Sequence, residues 1–350
     1  MTVKTDKIQA FQQALLHWFD KQGRKHLPWK HPLCPYRIWV SEIMLQQTQV
    51  TTVIPYFERF MQHFPTVESL AAAELDQVLQ LWAGLGYYTR ARCLHKAAQQ
   101  IVALGDFPKT LTELTALPGI GLSTAGAILS LAFDIPTPIL DGNVRRVLVR
   151  IEGVYGWSGE SAIQQQLWKI SQFYTPNHRV AEYTQAMMDL GALICKRRPD
   201  CKQCPVIDYC WAYQQQQTDQ LPTTKPRVTK PCKSVVMLVL HSQKHWLLSK
   251  RPTRGIWGGL WSLPEFDTIE SAINTVKLLN NSIQPQIFAT QRHSFTHYHL
   301  NYTPLYISIP DPISELEPNQ SWHHQDLILS LALPAPIKPL LLNLIDSPIK

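Results

Sequence analysis

Leu117-Pro118-Gly119-Ile120-Gly121-Leu122-Ser123-Thr124-Ala125-Gly126, followed by Leu140-Asp141-Gly142-Asn143-Val144-Arg145-Arg146, is the part of the chain that decides its fold. Upstream, Leu111-Thr112-Glu113-Leu114 has apolar residues three apart until Pro118 stops them, which predicts a short helix. Downstream, Ala125 to Phe133 predicts a second, apolar helix. Between them Gly119 and Gly121 allow positive φ and close backbone approach, so the first amides of the second helix can face an anion such as a DNA phosphate. A Pro-Gly turn between helices is also commonly no more than a turn. Asp141 has two readings as well, a carboxylate serving chemistry or the N-cap of a helix beginning near Asn143.

Working outward, Ile8, Phe11, Leu15, Trp18 and Phe19 give an amphipathic helix from about Lys7 to Asp20, followed by the loop Arg24-Lys25-His26-Leu27-Pro28-Trp29. A loop tryptophan beside proline is by default a packing plug. Next comes Ile38-Trp39-Val40-Ser41-Glu42-Ile43-Met44-Leu45-Gln46-Gln47-Thr48-Gln49, in which Glu42 sits inside an apolar turn with no cation within one helical turn. Such a carboxyl either faces solvent or is semi-buried, and in the second case its pKa rises toward what a general acid needs at neutral pH. From Val53 to Tyr183 no useful strand-like alternation occurs, so this half reads as all-α. Within it, Gly84-Leu85-Gly86-Tyr87-Tyr88-Thr89-Arg90-Ala91-Arg92 is a second glycine-broken junction leading into a basic helix, with aromatics placed to stack on bases or to pack between helices. Cys195, Cys201, Cys204 and Cys210 then form a compact thiolate set that predicts metal, with zinc the generic alternative.

At 350 residues the chain predicts two or three domains, and Lys plus Arg exceed Asp plus Glu by 33 to 26, a mildly basic balance compatible with a polyanion. The excess is spread over both halves and locates no site. The first residues lack the apolar core of a signal peptide, and the greasy tail from Leu327 to Ile345 is broken by Pro334, Pro336, Lys338 and Pro339. Seven cysteines, an odd number with four clustered, fit a metal site in a reducing compartment better than a disulfide framework. These features predict a soluble, cytoplasmic protein, without a membrane partner. Gln214 to Pro231 has linker composition. Beyond it Ser234 to Leu240, His245 to Ser249 and His299 to Ile309 predict strands of an α+β domain. The histidines in His293-Ser294-Phe295-Thr296-His297-Tyr298-His299 lack an obvious fourth metal ligand.

The phosphate-gripping hairpin, an acidic residue about twenty positions later and the cysteine cluster together resemble the helix-hairpin-helix superfamily of base-excision DNA glycosylases. The run around Glu42 resembles the signature of its adenine DNA glycosylase (MutY) family. The resemblance covers the chain from about Phe11 to Leu331, more weakly beyond Asn274. It implies a multidomain protein: an all-α glycosylase core over residues 1–213, a linker at 214–231 and a Nudix-like 8-oxoguanine recognition domain at 232–350. Within the core it implies a six-helix barrel over about 22–135 and a cluster subdomain made from the N-terminal helix and 136–213.

The resemblance further implies that Glu42 protonates adenine, Asp141 stabilises the sugar and Asn143 orients one or both. Leu27, Trp29 and Gln185 match adenine-pocket positions. Leu45, Gln47 and Tyr87 reach into or wedge the duplex, and Gly119 and Gly121 bind the backbone. The four cysteines correspond to the 4Fe–4S loop, although five residues separate Cys195 from Cys201 where the family pattern has six. Phe295-Thr296-His297 resembles the Phe-Ser-His loop that reads 8-oxoguanine, with threonine in place of serine. At Ser123 the endonuclease III branch carries a lysine nucleophile, so serine predicts a monofunctional enzyme. Only Glu270 follows Glu265 before a polar stretch, too few carboxylates for the magnesium of a Nudix hydrolase. No zinc or magnesium is expected. The predicted partner is duplex DNA with adenine opposite 8-oxoguanine or guanine, bound by a monomer. The alternatives are an oxidised-pyrimidine glycosylase and lyase, a thymine-mismatch glycosylase, a non-catalytic DNA-binding protein and a Nudix hydrolase.

Overall fold

The computed structural model describes residues 2–225, 229–277 and 284–346. It divides into two compact units, Met1–Ala72 with Cys93–Pro226, and Ala73–Arg92 with Arg227–Lys350. The helices run α1 (Thr2–Gln22), α2 (Pro35–Leu45), α3 (Val50–His63), α4 (Val67–Ala72), α5 (Leu75–Trp82), α6 (Thr89–Leu104), α7 (Leu111–Ala116), α8 (Leu122–Phe133), α9 (Gly142–Glu152), α10 (Ser161–Tyr174), α11 (Val180–Asp189) and α12 (Trp211–Gln214). All except α5 and the first turn of α6 belong to the first unit.

The hairpin organises that unit. Helix α7 is capped by Thr110, whose Oγ1 accepts from the Glu113 amide at 3.2 Å. Leu117 leaves the helix in an extended conformation before Pro118. Helix α8 then buries every residue from Ala125 to Leu131, as expected for a helix that is apolar all round. Helices α2, α7 and α11 pack against it. At α1, the predicted apolar face puts Phe11 and Leu15 in the core, with the Phe11 ring edge-on to Tyr174 at 4.9 Å.

The tract predicted as linker is packed on the first unit through Thr223. Leu221 is buried, Thr223 bridges to Trp157, and the Gly156 amide donates to the Thr223 hydroxyl at 3.2 Å. Polar composition obscured this because one apolar side chain and a few backbone bonds suffice to hold the strand down.

The second unit carries β1 (Cys232–Ser242), β2 (His245–Lys250), β3 (Trp261–Ser262), β4 (Glu265–Phe266), α13 (Ile269–Lys277), β5 (Gln286–Ile287), β6 (Gln291–Ser294), β7 (His299–Ile309), β8 (Gln320–His324) and α14 (Ile337–Asp346). One mixed sheet holds all the strands, along the order β3-β2-β1-β7-β5. Strands β1 and β7 pair in parallel from Cys232–His299 to Ser242–Ile309. Val236, Leu238, Leu240, Leu305 and Ile307 form its core with Ala272 and Val276 of α13. Glu270 is the one carboxylate of α13. Arg92, just inside α6, donates to the Gly258 carbonyl, and Lys250 pairs with Asp76 at 2.7 Å, which docks residues 73–92 on this sheet.

Candidate active site

Two carboxylates are brought together in the first unit. Glu42 lies on α2, whose neighbouring side chains Ile38, Trp39, Val40, Ile43 and Met44 are all buried. Loss of water around the Glu42 carboxyl, with the negative charge of Asp141 as second cause, pushes its pKa up to about 8. The residue retains partial surface exposure, so it is enclosed without being sealed off. Asp141 occupies the N-cap of α9, where Oδ1 accepts from the Val144 amide at 2.8 Å. Burial raises its pKa too, but the amides of Val144 and Asn143 and the Arg146 and Arg145 guanidiniums pull the other way. These donors belong to Asp141 alone, so Asp141 is the first of the pair to ionise and its charge then holds the proton on Glu42.

The segment leading to Asp141 is fixed from α8. The Leu140 amide donates to the Ser123 hydroxyl at 3.0 Å, and the Pro138 carbonyl lies so close to Gly126 that a Cβ there would sit 2.4 Å from the oxygen. Asn143 Oδ1 accepts from Arg146 at 2.8 Å, and the same guanidinium donates to the carbonyls of Gly191 and Cys195, each at 2.6 Å. Gly191 itself packs on Asn143, where a Cβ would fall 2.6 Å from that of Asn143.

At the hairpin, Gly119 has φ +78°, and a Cβ there would meet Cys93 at 2.7 Å, so both its freedom and its size are used. Gly121 departs from expectation. Its φ is −92°, in extended backbone, and its contribution is open space: nothing lies within 4 Å of where its Cβ would stand. It caps α8 without a side-chain bond, and the first intrahelical bond is from Ala125 to the Gly121 carbonyl. The amides before Ala125 therefore lack intrahelical acceptors and sit at the positive end of the helix.

Gln47 follows the end of α2 with φ 59° and is exposed, while Leu45 is half-buried and Gln46 Nε2 donates to Thr124 at 3.3 Å. In the second unit, Tyr87 also has a positive φ, 50°, and remains 43% exposed beneath the Arg90 guanidinium. A left-handed backbone is costly for side chains of this kind and recurs where geometry serves a function. Leu27, Trp29 and Gln185 are all buried, and Trp29 rests edge-on to Phe57 at 5.5 Å, the packing expected of a plug. Gln185 Nε2 donates to Asp189, four residues along α11.

The four cysteines are unpaired and line one cavity, together with Val147, Arg150 and Leu190. Among the described residues no three ligand-type side chains converge on a single-ion position. Four thiols around a shared apolar cavity suit a multi-iron cluster by their chemistry. Arg150 is 2% exposed and spends its donors on the loop, at Lys196 O, Arg197 O and, at 3.2 Å, Cys195 Sγ, and on the tract after it, at Thr218 O and Leu221 O. In the second unit, Phe295 heads a tight turn closed by its amide on Tyr298 O at 2.9 Å, and its ring packs on Trp257 and His293. Thr296 and His297 are exposed at the tip, their Oγ1 and Nδ1 3.3 Å apart.

Sequence reasoning missed Gly126, Arg92, Arg150 and the Asp189–Arg24 pair. Single arginines and aspartates carry no local signal of the carbonyls or amides they will meet.

Residues 40–173 match the HhH-GPD superfamily of base excision DNA repair proteins, and residues 235–343 match the NUDIX domain. An adenine DNA glycosylase of Buchnera aphidicola subsp. Schizaphis graminum is 37% identical over 341 residues, covering 95% of this chain and 98% of that protein. The chain belongs to the adenine DNA glycosylase family. A mouse member is 33% identical over 385 residues, with 90% of this chain and 74% of the relative covered. The solved structure of a thermostable thymine-DNA glycosylase covers 61% of this chain and 99% of its own, with TM-score 0.53 and 24% identity, which is a likeness of fold. An endonuclease III in complex with DNA compares similarly, at TM-score 0.52 and 22% identity over 61% of this chain and 97% of its own. The architecture is thus a helix-hairpin-helix core joined to a Nudix-like α+β domain.

Proposed function

We propose that this chain is a monofunctional adenine DNA glycosylase of base-excision repair, acting on adenine opposite 8-oxoguanine or guanine in duplex DNA. What carries this reading is the Glu42–Asp141 pair, two neighbouring carboxyls both raised by burial, of which Asp141 alone has amide and guanidinium donors opposing the rise. Breaking the glycosidic bond sends its electron pair to the departing base and leaves positive charge on the sugar. Glu42 donates its proton to adenine as the bond breaks. Asp141 faces the developing cation, by charge or through a transient ester to the sugar carbon. Water then supplies the hydroxyl that completes the sugar, and its proton returns to Glu42. Asn143, held by Arg146, orients this pair, and Ser123 holds the Leu140–Asp141 segment through its hydroxyl.

The adenine leaves the stack at a cost of roughly a few kcal/mol. Leu45, Gln47 and Tyr87 fill or wedge the gap, the amides after Gly119 and Gly121 take a phosphate, and Leu27, Trp29 and Gln185 receive the base. Phe295, Thr296 and His297 read the opposite 8-oxoguanine. Serine at 123 offers no amine for a Schiff base, which is why the activity is monofunctional. Cys195, Cys201, Cys204 and Cys210 would hold a 4Fe–4S cluster, a redox-capable group whose role here would be to tie the loop together, since four protein thiolates would leave no position for substrate. The division at about residues 213 and 232 separates excision from recognition. The enzyme is read as a cytoplasmic monomer that binds duplex DNA; among the described residues no helix is long and apolar enough to cross a membrane.

The test is cleavage of duplexes carrying adenine opposite 8-oxoguanine, guanine or thymine, with and without hot alkali. Strand breaks only after alkali, confined to the first two and absent from Glu42→Gln and Asp141→Asn, are expected. Borohydride trapping at the level of a true lyase would refute the monofunctional chemistry. No cleavage of any duplex by cluster-loaded protein would leave a DNA-binding role.

A further inference from the structure

The turn between α5 and α6 carries Gly86 and Tyr87 in succession with left-handed backbone, at φ 73° and 50°. A tyrosine keeps that conformation only where its surroundings hold it. The surroundings here are one side chain in the first turn of α6. Arg90 Nη2 donates to the Gly86 carbonyl at 3.2 Å and to that of Leu85 at 3.4 Å, and the Arg90 amide donates to the Tyr87 carbonyl at 2.8 Å. The Gly86 carbonyl belongs to the peptide entering Tyr87 and the Tyr87 carbonyl to the peptide leaving it, so Arg90 holds both planes that define the backbone angles of Tyr87. Trp82 Nε1 adds a second donor to the Gly86 carbonyl, at 3.1 Å. The Arg90 guanidinium carbon also lies 5.3 Å from the centre of the Tyr87 ring and 5.5 Å from that of Trp82. Trp82 and Arg90 are buried while Tyr87 is half-exposed, which makes the tyrosine the outer member of this aromatic–cation assembly. Burial pulls the Arg90 pKa down to about 10, so the group is still a cation at neutral pH, and a desolvated cation attracts a ring face more strongly than an exposed one.

We infer that Arg90 is a positioning residue for Tyr87, holding the peptide that enters it and the face of its ring so that the tyrosine is set for wedging before DNA arrives, and that this setting governs discrimination between mispaired and matched duplex. The inference rests on the proposed wedge role of Tyr87 and deepens it. Wedging requires a base step to unstack, which costs least at a mispaired or damaged base. A tyrosine that first had to be ordered and strained would add that cost to the specific complex, and one already ordered does not. Binding to matched DNA runs mostly through phosphates and needs no wedge. Loss of the Arg90 side chain therefore removes affinity for the mispair and leaves affinity for the matched duplex in place.

The experiment is a double-mutant cycle on the full chain, cluster-loaded and carrying Glu42→Gln so that bound adenine is not excised. Equilibrium titrations at one fixed salt concentration compare a duplex containing adenine opposite 8-oxoguanine with the fully paired duplex of the same sequence, for the parent, Arg90→Met, Tyr87→Ala and the two combined. The ratio of the two affinities should fall about tenfold in Arg90→Met, with affinity for the paired duplex kept within about twofold. Adding Arg90→Met to Tyr87→Ala should change the ratio by no more than about twofold, because the arginine acts through the ring that is already gone. Arg90→Lys keeps a cation near the rings but replaces the planar fork by a point donor; its ratio should fall between those of the parent and Tyr87→Ala, and it carries the same cycle if Arg90→Met does not fold. Equal weakening on both duplexes, or a further fall of the ratio when the Arg90 change is added to Tyr87→Ala, would make Arg90 a support of the turn only and overturn the inference. A Tyr87→Ala protein that keeps the parent ratio would instead defeat the wedge reading itself, and the inference with it.

Discussion

Replacing Glu42 by glutamine should abolish excision and stabilise the protein, and the stabilisation should grow with pH. Burial first, and the Asp141 charge second, raise the Glu42 carboxyl from 4.5 to about 8. Unfolding returns it to its ordinary value. Between those two values the unfolded chain has released a proton that the folded chain still holds, so stability falls as pH rises, by about 1.4 kcal/mol per pH unit. Below the lower value both states carry the proton and Glu42 costs little; above the upper one both are ionised and the whole penalty is present. Across the window this amounts to roughly 5 kcal/mol. Relaxation and water entry lower the effective penalty of a buried charge, so roughly 2–5 kcal/mol is expected at pH 8.5, several degrees in Tm. Glutamine has the same shape and no proton to lose. Calorimetry of wild type and Glu42→Gln at pH 6 and pH 8.5 isolates the effect, because every other titrating group is common to both proteins. A Tm difference that is equal at the two pH values would refute the reasoning, whatever the variant does to catalysis.

The same proton gives the wild-type enzyme an alkaline limb, with single-turnover excision dropping about tenfold per pH unit above about pH 8; a flat profile to pH 10 would count against Glu42 as the acid. Gly126→Ala forces a methyl against the Pro138 carbonyl and should cost about 1–3 kcal/mol by thermal melt and lower excision more than about tenfold through displacement of Asp141. Arg150→Met removes three bonds to the cysteine loop and two to the following tract at Thr218 and Leu221, so, with the proposed cluster bound, purified protein should lose iron content and visible iron–sulfur absorbance together. Arg92→Gln releases the Gly258 carbonyl beside Trp257, on which the Phe295 ring rests, and should reduce the preference for adenine opposite 8-oxoguanine over adenine opposite guanine about three- to tenfold, read from paired kinetics.

Much of the architecture was legible because periodicity and turn chemistry are local. The helices flanking Pro118, the helix after Asp141 and the strands at 234–240 and 299–309 stand near where apolar spacing predicted them. The carboxylate in an apolar turn was legible too, since a residue that resists burial among residues that seek it needs a reason. Whether Glu42 was enclosed or merely solvent-facing was not, because enclosure comes from other helices brought in by the fold. The same limit hid Arg150 and Asp189. A buried charge is recognised by its partners, and theirs lie at Leu221 and Arg24, 71 and 165 residues away. Gly121 shows the converse error. A glycine in a turn suggests positive φ, but here the absent side chain keeps the approach to the α8 amides clear and the backbone is ordinary.

The two readings of Asp141 also prove to be one. As an N-cap it accepts the Val144 amide, and as a reactive carboxylate it must remain ionised although buried beside a second carboxyl. The cap is what favours the ionised form. The amides and arginines at the start of α9 oppose its desolvation, and Glu42, inside α2 with no such donors, is left to carry the proton. An alanine-type cap would weaken the helix; an uncapped aspartate would contest the proton with Glu42 and blur the division between acid and base. Helix initiation and the ordering of two pKa values are thus served by the same two amides. A residue that looks structurally ordinary in isolation can therefore be set for chemistry by the bonds that make it ordinary.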